Sequence, residues 1–187
     1  MKPYRLSNPF LRTTLGFTTA VIVFSSQSGS AAPVYWDGAT GSWDDLTKWS
    51  TAAGATTPDP LTVPGTTESA VFDITTNNSV ASQTVYLNGN QSIGAVTVNN
   101  SGRTAISGGT SATPNTTDVL TSAGNVSVGV AAANKSMLTL AADLTTLNLS
   151  VGGATTGAGA VYQSGGTVTL TDTAAGSGAA SPDRIFS

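Results

Sequence analysis

From Ala32 onward the chain runs in short Val/Ile/Leu/Thr segments cut apart by Gly, Asn, Ser and Ala. Val85-Tyr86-Leu87, Ser92–Val98, Met137–Leu140, Leu147–Val151 and Gly166–Leu170 are examples. Apolar residues alternate with small polar ones over a few positions, which is the period of a half-buried strand and not of a helix. Successive segments recur about every ten residues, too close together for crossover helices. Large apolar side chains are sparse, and threonine fills positions that a globular core gives to Leu or Phe. A chain that buries little per residue needs cohesion from elsewhere, and stacked strands supply it through main-chain ladders with rungs about 4.8 Å apart. The expectation is an all-β chain, a β-solenoid with loops of varying length. The alternative is an antiparallel β-sandwich, which also places strands every 8–12 residues but normally needs a bulkier core.

Residues 1–31 read as a secretory signal peptide. Lys2, Arg5 and Arg12 form a basic start, Thr13–Phe24 is apolar, and small residues lead to Ala31-Ala32-Pro33, with cleavage expected after Ala31. Twelve apolar residues fall short of the roughly 20 that span a bilayer. Removing the leader leaves four basic residues against ten acidic ones, a net charge of −6. Lys48, Arg103, Lys135 and Arg184 are scattered, so no basic patch for nucleic acid or anionic membrane is visible. The chain has no cysteine and no histidine. That excludes disulfide support, Ser-His-Asp and Cys-His catalysis, and imidazole metal sites. No cofactor is expected.

Three stretches follow the leader. Residues 32–73 hold Tyr35, Trp36, Trp43, Trp49 and Phe72 together with Asp37, Asp44, Asp45, Asp59 and Glu68, and are expected to form an aromatic-rich N-terminal cap. Residues 74–170 carry the strand rhythm, with strands expected near 84–87, 92–98, 103–106, 118–121, 126–130, 137–140, 144–151, 160–163 and 166–170. Residues 171–187 are a Gly/Ala/Ser-rich tail. Asn88-Gly89-Asn90, Asn99–Gly102, Gly108-Gly109 and Gly152-Gly153 suit tight corners, where positive φ is tolerated. Asn at such corners can also form side-chain ladders from one rung to the next.

The aromatic stretch carries a family resemblance. Tyr35-Trp36-Asp37-Gly38, Gly41-Ser42-Trp43-Asp44 and Lys48-Trp49-Ser50 are followed by Pro64-Gly65, Glu68–Phe72, Val85-Tyr86-Leu87 and Ile93–Val98. This order, and the Tyr162–Thr169 run, resembles proteins with autotransporter-associated β-strand repeats, large exported proteins of Gram-negative bacteria such as Verrucomicrobia and Planctomycetes. The resemblance spans residues 34–170. It implies a right-handed parallel β-helix, as in autotransporter passengers, displayed on or released from the cell surface. Such proteins usually run to many hundreds of residues, so this chain is expected to be a fragment or truncated member.

Three groups of side chains are candidates for chemistry. Trp36, Trp43 and Trp49 could stack on pyranose rings and make a carbohydrate-binding module, or could instead plug one end of the stack. Asp37, Asp44 and Asp45 could offer oxygens to Ca²⁺ but lack the known loop patterns, so turn-forming roles are expected and no metal site is assigned. Asp118, Asp143 and Asp172 are the acids available to a polysaccharide-active β-helix, with Lys135 the nearest cation to Asp143. Each of the three is read as a corner or strand-end residue, so no catalytic residue is assigned. The expected function is therefore a non-enzymatic structural or adhesive protein of the outer membrane surface or extracellular space. Surface polysaccharide or other cell-surface proteins are its expected partners, with no nucleic acid and no membrane insertion of the mature chain.

Overall fold

The computed structural model describes residues 31–73, 82–131, 135–153 and 157–172. The expected signal peptide (apart from Ala31) and the tail beyond Asp172 lie outside the described residues. Among those described, regular structure is β-strand apart from one 3-10 turn at Leu46–Lys48.

In chain order the strands are β1 (Ala32–Trp36), β2 (Thr40–Ser42), β3 (Trp49–Ser50), β4 (Glu68–Phe72), β5 (Ser82–Tyr86), β6 (Gln91–Ile93), β7 (Ala95–Val98) and β8 (Arg103–Gly109). They continue as β9 (Pro114–Asn115), β10 (Val119–Ser122), β11 (Val126–Val128), β12 (Lys135–Ala141), β13 (Asp143–Thr146), β14 (Leu149–Val151), β15 (Ala158–Gly165) and β16 (Val168–Leu170). Three sheets result. Sheet A has the order β14-β11-β7-β4-β1-β3, sheet B the order β15-β12-β8-β5-β2 with β9 beside β8, and sheet C the order β16-β13-β10-β6. Every pairing along these orders is parallel except β1 with β3, and β9 joins β8 antiparallel.

From β5 onward the chain visits the sheets in a fixed rotation: β5, β6 and β7 lie in B, C and A, then β8, β10 and β11, then β12, β13 and β14, then β15 and β16. Each circuit adds one strand to each sheet beside its predecessor. In sheet A, Ala70 pairs with Val96, Val96 with Val126 and Val126 with Leu149, intervals of 26, 30 and 23 residues. These parallel neighbours correct the antiparallel-sandwich alternative, in which sequence-adjacent strands would pair.

Register sorts the side chains into files. On the buried face of sheet A, Val34, Ala70, Val96 and Val126 stand in one file, and Phe72, Val98 and Val128 in the next. Sheet B contributes Val85, Ile106 and Leu140, and sheet C contributes Leu120 and Leu144. Each is at most 3% exposed, so each full burial of a Val, Leu, Ile or Phe side chain here is worth about 1.5–3 kcal/mol as an upper estimate. β-Branched and leucine side chains repeat here because a file of like side chains fills the pleat above and below it.

Two expected strands turn out to be two strands each. The 92–98 run breaks at Gly94 into β6 and β7, and the 144–151 run breaks at Leu147-Asn148 into β13 and β14. Both turn a corner from sheet C to sheet A. At the first, a side chain is excluded: a Cβ on Gly94 would lie 2.6 Å from the Glu68 carbonyl oxygen. The ladder continues round this corner, with Gly94 N–H donating to Glu68 O at 2.8 Å, Gly124 N–H to Gly94 O at 2.6 Å and Leu147 N–H to Gly124 O at 3.2 Å. Asn148 Nδ2 donates to Asn125 Oδ1 at 3.4 Å, a side-chain rung of the expected kind. Positive φ occurs at Asn88, Gly89, Gly109, Gly152 and Gly153, as expected, but the Asn99–Gly102 corner is turned without it.

Candidate functional site

The aromatic residues of the stretch ahead of β5 gather into one buried cluster. Trp36 ends β1 and pairs across the antiparallel ladder with Trp49 of β3, while Trp43 follows β2. The Trp36 and Trp49 rings meet edge to face at 5.0 Å and 85°, and Trp43 and Trp49 at 5.0 Å and 70°. Phe72 of β4 lies 6.1 Å from Trp36 and 5.9 Å from Trp49. Trp49 Nε1 donates to Trp43 O at 2.8 Å and Trp43 Nε1 to Pro64 O at 3.5 Å, whereas Trp36 Nε1 is buried without a partner. The three tryptophans are 2%, 0% and 0% exposed.

This corrects the carbohydrate-binding reading of Trp36, Trp43 and Trp49. A sugar-stacking platform needs an open ring face, and these faces are covered by one another and by Phe72. Spacings of seven and six residues revealed a cluster but not the side on which it lies. Outside the cluster, Lys48 runs its stem against Gly38 and Gly41, where any Cβ would meet it at 2.5 and 2.9 Å.

The acids of the same stretch point in different directions. Asp45 Oδ1 accepts from Thr47 N–H at 3.1 Å and Thr47 Oγ1 at 2.7 Å, capping the 3-10 turn. Asp44 Oδ2 accepts from Asn88 Nδ2 at 2.8 Å and so fastens the segment after β2 to the β5–β6 corner. Burial raises the pKa of Asp37, with Asp59 adding to the effect and Lys48 opposing it, and Asp37 Oδ2 is buried with no hydrogen-bond partner. Among the described residues no three acidic side chains gather about one point.

Asp118 and Asp143 lie in consecutive circuits, close enough for Asp143 N–H to donate to Asp118 O at 2.9 Å. Their carboxylates are nevertheless occupied by backbone. Asp118 Oδ2 accepts from Gly89 N–H at 2.8 Å and Gly109 N–H at 2.7 Å, and Oδ1 accepts from Asn115 Nδ2 at 3.1 Å. The Gly109 amide first, then the Gly89 amide, holds its pKa below the usual carboxylate range. Asp143 Oδ1 accepts from Thr167 N–H at 2.6 Å. Asp172 continues the ladder by donating its N–H to Leu147 O at 3.1 Å, and Lys135 opens β12 on sheet B. Glycoside hydrolysis needs one carboxyl group of raised pKa across from a second. Asp118 is shifted the other way and serves as a staple between corners.

Sequence reasoning missed two features. One is that stapling role, signalled only by the Asn115-x-x-Asp118 spacing. The other is a buried polar group at the A–B corner: Gln83, Asn100, Thr104 and Ser136, each at most 3% exposed. The exposed surface is marked instead by hydroxyls. Ser92, Thr121, Thr145 and Thr169 stand in register along sheet C, and Thr97, Ser127 and Ser150 along sheet A.

Compared with known proteins, the chain matches no family model, no curated protein and no solved structure.

Proposed function

We propose that this chain is a right-handed parallel β-helix with a tryptophan-rich N-terminal cap, exported and displayed as a non-enzymatic structural or adhesive element of the cell surface. The observation that carries the reading is the fixed rotation of strands through three sheets, each strand parallel to its predecessor one circuit earlier. Crossovers between parallel neighbours are right-handed in about 98% of cases, which supports the hand. The aromatic cluster sits at the β1–β3 end of sheet A, where an antiparallel strand and buried rings suit a cap. The main surface offered to partners is hydroxyl-bearing and carries little charge, which suits extended contact with surface polysaccharide or other surface proteins.

Expression of the full chain in a Gram-negative host tests the export half of the proposal. Protein on intact cells or in the medium, with an N-terminal sequence starting at Ala32, is expected. Cytoplasmic retention with the leader still attached would contradict it.

A further inference from the structure

The A–B corner carries a polar group inside an otherwise apolar interior. Gln83 comes from β5, Asn100 from the β7–β8 corner, Thr104 from β8 and Ser136 from β12, so three consecutive circuits contribute to it. Gln83 Nε2 donates to Thr104 Oγ1 at 2.8 Å, Asn100 Nδ2 donates to the same oxygen at 2.9 Å, and Ser136 Oγ donates to Asn100 O at 2.6 Å. Thr104 Oγ1 therefore receives two hydrogen bonds, and its own proton must point elsewhere. Asn100 Oδ1 is buried and meets no donor on the protein.

One unmet acceptor and one unmet hydroxyl proton thus share a buried site, joined through the Asn100 side chain. A buried polar atom left without a partner costs about 1–3 kcal/mol, so such atoms are nearly always satisfied. The complementary ligand must donate and accept at once, be neutral, and be small enough for a packed interior. We propose that this corner binds one structural water molecule, which donates to Asn100 Oδ1 and accepts from the Thr104 hydroxyl. Rotating the Asn100 amide by half a turn leaves the site in place. Oδ1 then accepts from Thr104 and Nδ2 becomes the unmet group, so the water accepts where it had donated. Held in this way, the water joins Asn100 of the β7–β8 corner to Thr104 of β8, while Gln83 ties β5 to Thr104 Oγ1 and Ser136 ties β12 to Asn100 O. It also explains why polar residues occupy files that are aliphatic elsewhere.

A crystal structure of the mature chain at a resolution that shows ordered solvent tests this directly. One fully occupied water within about 2.7–3.2 Å of the Asn100 side-chain amide, with a second hydrogen bond inside the group, is expected. In solution the same water should give nuclear Overhauser contacts to the Asn100 Nδ2 protons, of the sign that marks slow exchange. Absence of density there, or an Asn100 amide fully paired to protein groups alone, would overturn the proposal.

Discussion

At the scale of single residues, buried rings and oriented carboxylates account for most of what is particular to this chain. Trp43 is fully enclosed, bonded to Pro64 and packed on Trp49. Trp43→Ala should therefore lower stability by about 3–5 kcal/mol, measured by urea unfolding. The enclosed rings should emit in the blue, and added polysaccharide should leave that emission unchanged; a ligand-dependent shift would restore the carbohydrate-binding reading. Asp37 and Asp118 should respond to pH with opposite sign. Asp118 has a lowered pKa in the fold, so its contribution is present above the unfolded value of about 3.9 and is lost as pH falls through its lowered value. Asp118→Asn should destabilise at neutral pH and flatten that acid limb. Asp37 has a raised pKa, so its ionised form works against folding above the raised value, and the effect vanishes below about pH 3.9. Asp37→Asn should raise the melting temperature at pH 7, and the gain should shrink on acidification.

At the scale of strands and corners, what was legible in the sequence depended on whether local period decided the outcome. The expected strands 103–106, 137–140 and 160–163 fall within the longer β8, β12 and β15, because alternation between an inward and an outward face imposes a period of two. The corners at Gly94 and Leu147-Asn148 do not interrupt a period-two reading of the sequence, although it carries a signal for them. Inward-facing residues there step from buried Ile93 to buried Val96 and from buried Thr146 to partly buried Leu149, intervals of three in runs that otherwise alternate. A step of three returns the side chain to the buried face only if the backbone turns between the two residues. Burial of the tryptophans was less legible, because their covering partners, Phe72 and Pro64, come from distant segments. The stapling role of Asp118 likewise depends on amides 29 and 9 residues away. Gly94→Ala should test the corner geometry. Its Cβ would press on the Glu68 carbonyl and cost about 1–3 kcal/mol, seen as a lower denaturation midpoint.

At the scale of the whole molecule, stability rests on repetition. Each circuit buries short aliphatic files against the circuit before it, and the ladder runs through strands and corners alike. Partial opening should therefore begin at an end of the stack and not at its centre. Amide exchange should show β11 and β8 slower than β14 and β16, whose own residues Val151 and Leu170 are 46% and 57% exposed. Strands pair with the preceding circuit and not with their neighbours in sequence. Backbone nuclear Overhauser contacts measure that pairing most directly. Parallel contacts are expected to join Val96 to Val126 and Val126 to Leu149, and Thr121 to Thr145 on sheet C. Antiparallel contacts between β10 and β11, as a hairpin of facing sheets would give, would contradict it.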